Sequence, residues 1–145
     1  MSDLDKSRII GWTTPVNIER FALKEGELIL EMGKAADCDE NLRLEIQNIT
    51  KSEFLDEESQ EVVDAVLVWW REDDGDLIDA LVDAQTYLTE NGPIWLLTPK
   101  VGREGHVQAS DIQDAVPTAG LSLTTSFACG EDWVASKILP RKLKK

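Results

Sequence analysis

Apolar residues along this chain are grouped in two ways. Dense short runs followed by turn residues occur at 27–33 (ELILEMG), 62–70 (VVDAVLVWW) and 93–98 (PIWLLT), and each predicts a buried strand. The second is the strongest, an almost unbroken run of Val, Leu and Trp suited to a central strand covered on both faces. Between the runs, apolar positions recur at helical spacing. Thr14-Pro15 supplies an N-cap and a first-turn proline for a helix that buries Ile18, Phe21 and Ala22 and stops at Gly26. Asp39 caps a helix over about 40–49 with Leu42, Ile46 and Ile49 as its buried stripe. Leu77, Ile78, Leu81, Val82, Gln85 and Leu88 trace one side of a helix over about 76–90, ended by Asn91-Gly92-Pro93. Ser110 with Gln113 three residues on forms a capping box for a last helix, which Pro117 closes.

The remaining segments complete the outline. Residues 50–60 are a polar connection, with one turn of helix expected after Thr50 from the T-x-x-E pattern. Residues 121–130 and 132–140 alternate in polarity around a glycine-containing turn, which predicts an antiparallel hairpin. Strands separated by helices imply βαβ units and a parallel sheet covered on both faces. The expected fold is therefore α/β, a Rossmann-like three-layer sandwich with a mostly parallel sheet and a C-terminal antiparallel hairpin. Residues 1–14 read as an N-terminal arm, with Ile9, Ile10 and Trp12 able to dock on the body. Residues 15–140 read as one domain, and residues 141–145 as a basic tail.

Composition narrows the class. With 145 residues, 42% apolar and 30% charged, a single domain with a conventional core is expected. No stretch approaches the ~18 consecutive apolar residues of a membrane span. The opening MSDLDKSRII is too charged for a secretory leader, so a cytoplasmic location is expected. The net charge is −13, split unevenly: residues 1–136 carry −18 and residues 137–145 carry +5. Such a body repels phosphate backbones, so neither nucleic acid nor an anionic membrane surface is an expected partner. Cys38 and Cys129, far apart and without C-x-x-C spacing, suggest neither a disulfide framework nor a zinc site. Asp37 and Asp39 flank Cys38 and should raise its pKa, which argues against a nucleophile.

Three constellations stand out. Glu72, Asp73, Asp74, Asp76, Asp79 and Asp83 gather after the strongest strand, where α/β sheets place ligands. Their spacing is not that of an EF-hand, and Asp at a helix start is also what capping selects, so no metal is expected. Trp70 with Asp73, Asp74 and Asp76 is the candidate partner-binding edge. Trp69 and Trp70, adjacent on one strand, must face opposite sides of the sheet. Lys100, Arg103, Gly105 and His106 lie in the only basic, glycine-bearing loop and form the candidate ligand site, where backbone amides and Arg103 would cradle an anion. His106, the sole histidine, is the obvious acid/base candidate there. No Ser-His-Asp motif, P-loop, H-E-x-x-H or dinucleotide fingerprint is present, and no catalytic residue is assigned.

VVDAVLVWW, LIDALVDAQTYLTENGPIWLLTPK and GLSLTTSFACGEDWVASKIL follow one another as in the second half of the class I methyltransferase fold, which the arrangement resembles in shortened form. VLVWWREDDGDLIDALVDA, GPIWLLTPKVGREGHV and SDIQDAVPTAGLS are similar to a mostly actinobacterial domain-of-unknown-function family, over residues 15–140. That resemblance brings an association with pyruvate dehydrogenase genes, which implies a protein partner, such as that central-metabolism complex. The methyltransferase resemblance implies a glycine-rich turn after the first strand for S-adenosylmethionine and an acidic residue ending the second. Here the turn is LEMGKAADCDE with Gly33 alone, and residues 34–61 leave little room for the second and third strands. Asp39 or Glu40 is left to replace the missing acid. No cofactor is therefore expected. The expected role is a non-catalytic binding, adaptor or regulatory domain, as a monomer or homodimer. The alternative is a small-molecule-binding or enzymatic domain that holds an anionic ligand at the strand ends.

Overall fold

The computed structural model describes residues 18–141. Three short parallel strands are each followed by a helix: β1 (Ile29–Met32), α1 (Glu40–Thr50), β2 (Ala65–Trp69), α2 (Leu77–Gln85), β3 (Ile94–Pro99) and α3 (Ala109–Thr118). The hairpin of β4 (Leu121–Cys129) and β5 (Trp133–Pro140) closes the described fold. The sheet order is β1-β2-β3-β5-β4, with β5 antiparallel to both its neighbours. Every residue of β2 and β3 is buried, as their apolar runs require.

Alternation along the strands builds two cores. Ala65, Leu67 and Trp69 on β2 and Trp95 and Leu97 on β3 face α1, where Leu42 and Ile46 cover them. Val66, Val68, Ile94 and Leu96 face the other way, under Leu81 and Ala84 of α2 and Ile112, Ala115 and Val116 of α3. Trp69 joins the first core and Trp70 packs against the second, so the two indoles lie on opposite sides as expected. Glu31 of β1 is the polar exception in this layer. Its side chain is 7% exposed and accepts from Arg43 Nε at 2.7 Å, Arg43 Nη2 at 2.8 Å and Trp69 Nε1 at 2.9 Å. A nearly buried carboxylate is tolerable because all three donors converge on it.

Several expected boundaries move. The helix predicted from Thr14-Pro15 begins outside the described residues, and what lies within them is one 3-10 turn, Ile18–Phe21. It ends because Ala22 adopts φ +54°, four residues before Gly26. The turn of helix after Thr50 does not form. Lys51 takes a left-handed C-cap and sends the chain out to Leu55, which makes a single parallel bridge to Leu30. The third predicted helix stops at Gln85 because Leu88 bridges Val63 instead. Its buried face is centred on Leu81 and Ala84, which leaves Val82 44% exposed. Ser110 is not the cap of α3. Gln108 holds that position with no side-chain bond, and Pro117 sits inside the last turn. By contrast, Asp39 caps α1 as expected, accepting from Leu42 N at 3.1 Å.

Candidate functional site

Strand direction fixes where a site can lie. The helix after β1 covers one face and the helix after β2 covers the other, so the connections diverge between these neighbours. Open α/β sheets bind ligands at such a divergence, beyond the carboxyl ends of the strands.

In this chain that crevice is spanned by Arg71, the second residue beyond β2. Its Nη1 donates to the carbonyl of Gly33 at 2.8 Å and to that of Trp69 at 3.2 Å. Nε and Nη2 both reach the carboxylate of Asp37, and Nη1 also meets Asp74 Oδ2 at 3.3 Å. The guanidinium lies 5.5 Å from the Trp133 ring centre, and the side chain is only 14% exposed. One arginine thus ties the turn after β1 to the turn after β2 and uses its whole donor fork to do so. The turn itself is tight. Gly33 has φ +78°, and a Cβ placed there would lie 2.3 Å from the Trp69 carbonyl oxygen. Only glycine lets these two backbones approach so closely.

Outside the clamp is a cleft of about 740 Å³, lined by the turns after β1, β2 and β3 and by the β4–β5 turn. Asp37, Asp73, Asp74, Glu104 and Asp132 line it against Arg71 and Arg103. Both guanidiniums are committed, since Arg103 pairs with Asp132 at 2.9 Å. The cations of the 99–106 loop do not converge. Lys100 Nζ donates to the Gly130 carbonyl at 3.1 Å, Arg103 turns to Asp132, and His106 Nδ1 lies 3.0 Å from the Pro99 carbonyl. A carbonyl only accepts, so His106 carries its proton on Nδ1. Gly105 lines the cleft with φ +86°, and a Cβ there would be 3.0 Å from Arg71 Cβ.

The acidic cluster separates into distinct jobs. Asp76 caps α2, accepting from Ile78 N at 2.9 Å. Asp74 holds Arg71, accepting also from its backbone N–H at 2.9 Å. Asp73 is exposed at the cleft wall, whereas Trp70 does not line the cleft and is half-buried against the core under α2 and α3. Sequence reading gave Arg71 no role of its own. Its partners at Gly33 and Asp37 lie 38 and 34 residues away, so nothing local announces it.

Cys38 and Cys129 are both buried. Burial is the main cause that raises the Cys38 pKa, with Asp37 a lesser one, while the neighbouring Arg71 opposes it. Burial pushes the Cys129 thiol up to about 12. Both thiols stay protonated and buried at neutral pH, so native protein is expected to react with a thiol-disulfide reagent more slowly than protein in denaturant. Comparing the two labelling rates checks this.

The arrangement can be set beside known proteins. The family model described as "Protein of unknown function (DUF3052)" matches residues 18–142. The chain belongs to this family. Uncharacterized protein Rv2239c of Mycobacterium tuberculosis is 44% identical over 123 residues, which are 85% of this chain and 77% of that one. Among solved structures, the DUF3052 chain is similar to the pyocyanin biosynthetic protein PhzM, with TM-score 0.64 and 10% identity over 86% of this chain and 53% of PhzM. It is also similar to a SAM dependent methyltransferase from Aquifex aeolicus, with TM-score 0.56 and 14% identity over 94% of this chain and 99% of that one. At such identities the likeness is one of fold. The DUF3052 domain is Rossmann-like and methyltransferase-like in scaffold. None of its described helices is long and apolar enough to cross a membrane.

Proposed function

We propose that this protein is a non-catalytic binding domain, an adaptor or regulator working in the cytoplasm on a methyltransferase-like scaffold. The observation that carries this reading is the Arg71 clamp. The crevice where the fold offers a ligand site is filled by the chain's own guanidinium, bound to Gly33, Trp69, Asp37 and Asp74. The residues present do not fit S-adenosylmethionine. Its carboxylate would need the N–H groups that open α1, but Asp39 already accepts there, and Asp37 and Glu40 add negative charge beside it. Asp39 and Glu40, the possible substitutes for a ribose-binding acid, are committed as cap and as partner of Arg43.

Titration calorimetry with S-adenosylmethionine and S-adenosylhomocysteine is expected to show no saturable heat. Native mass spectrometry on protein isolated gently from its host is expected to show a protein partner in fixed ratio. A stoichiometric mass of a few hundred daltons instead would overturn the reading. It would favour the alternative, an anionic small molecule held over the strand ends. The support for that alternative is cleft volume, since about 740 Å³ falls within the ~300–1,000 Å³ of small-molecule sites. Arg103→Ala would then abolish ligand stabilisation.

A further inference from the structure

The two edges of the sheet are finished differently. The outer side of β1 is covered by Leu55, whose N–H donates to the Ile29 carbonyl at 2.9 Å and whose carbonyl accepts from Glu31 N at 2.8 Å. At the other end, β4 has β5 on one side only. Among the described residues, the backbone of residues 121–127 pairs with no element except β5. This stretch, LSLTTSF, holds no charge and no proline in a chain that is 30% charged. Lysine, proline or a covering loop ordinarily blunts such an edge. Here the blunting feature is one bulge, between Leu123 and Thr125, and Ser122, Thr124 and Ser126 are exposed along the strand.

Charge along the hairpin selects the occupant. Residues 121–145 hold five cations against two acids, whereas the rest of the chain holds ten cations against 26 acids. The cations gather at one end of β4, where Arg141 N donates to the Gly120 carbonyl at 3.4 Å and Lys142 follows, and Glu131 stands just past the other end. A strand of the same sequence laid antiparallel on this edge brings its acidic end to the basic end, and a two-fold axis makes that match twice. The match acts at close range, while the repulsion between the two acidic bodies is screened beyond the ~8 Å Debye length of physiological salt. The chain's own ends fit the edge less well. β5 delivers the chain past Gly120 with only residues 142–145 left, too few to turn back along seven residues of edge. Residues 1–17 lead in near Phe127, which Arg20 covers at 4.3 Å, but they hold no run longer than three residues free of charge, glycine and proline. We infer that β4 pairs antiparallel with β4 of a second copy, about a two-fold axis near Thr124, so that the two sheets become one. This inference goes beyond the binding-domain reading and does not depend on it.

The test is sedimentation equilibrium on the full chain over a concentration series. The wild type is expected to be a dimer. Thr124→Lys and Thr124→Glu each set like charges against one another across the axis and should weaken the dimer at least ~fivefold. An equimolar mixture of the two variants should restore it, because the charges at the axis are then opposite. Glu58→Lys, at an exposed position in the connection after α1, should leave the dimer within ~twofold of wild type. Circular dichroism confirms that each variant is folded. A monomeric wild type overturns the inference and assigns the edge to this chain's own residues 1–17 or to another protein. A dimer indifferent to residue 124 also overturns it, in favour of another surface. A mixture that stays monomeric does so too, since residues 1–17 exchanged between copies would not place the two Thr124 positions together.

Discussion

Gly33→Ala is expected to lower the folding free energy by about 2–5 kcal/mol. Two costs combine. A left-handed backbone at φ +78° costs a residue with a Cβ about 1–2 kcal/mol. The new methyl would also sit 2.3 Å from the Trp69 carbonyl oxygen, so β1 and β2 must separate, an overpacking cost of about 1–3 kcal/mol. That oxygen belongs to the backbone at the carboxyl end of β2, an interior strand paired on both sides, and cannot swing aside. Gly102→Ala separates the two costs, because Gly102 has φ +87° with nothing within 4 Å of its would-be Cβ. It should lose only the backbone part, about 1–2 kcal/mol. Urea unfolding of both variants checks the prediction, and equal losses would show that the close approach at Gly33 carries no energy.

Arg71→Ala is expected to cost about 2–4 kcal/mol, a fall of roughly 6–15 °C in Tm for a domain of this size. The variant leaves Asp37 and Asp74 facing one another without their shared cation, and the Gly33 carbonyl without its donor. Arg71→Lys should recover less than half, since an ammonium cannot reach both loops in one plane. The effect has a pH signature. The Arg71 guanidinium hydrogen-bonded to Asp37 holds that carboxyl below its ordinary value of 3.8. A carboxyl depressed in the folded state adds stability above its unfolded pKa and loses it as pH falls. The gap in Tm between wild type and Arg71→Ala should therefore be constant from pH 7 to about 5 and narrow below about 4. A gap that stays unchanged at low pH would remove Asp37 from the account.

The layers of the fold were legible because they follow from local pattern. VVDAVLVWW could only be a strand buried on both faces, and the spacing of Leu42 and Ile46 after Asp39 placed α1 within a residue. Pattern misplaced α2's face because Ala84, a small residue, counted for little against Val82, yet it is Ala84 that fits against the sheet. The candidate site was less legible, and for a single reason: its partners are distant in sequence. Lys100, Arg103 and His106 look like one basic loop, but two of the three are claimed by Gly130 and Asp132 from the hairpin turn. Arg71 looks like one more charge in REDDGD until the fold brings Gly33 and Asp37 beneath it. Charge counting finds such residues but does not say which charges are already spent.

The hairpin has a bearing on how the protein is made. Of the described strands, β5 is synthesised last, yet it lies inside the sheet, between β3 and β4. Until residues 133–140 leave the ribosome, β3 has an open edge, Trp95 and Leu97 lack the cover of Trp133 and Ala135, and β4 has no partner. Between the emergence of β3 and that of residues 133–140 the nascent chain therefore holds a half-sheet with an open edge, and the described sheet closes only when β5 enters the gap.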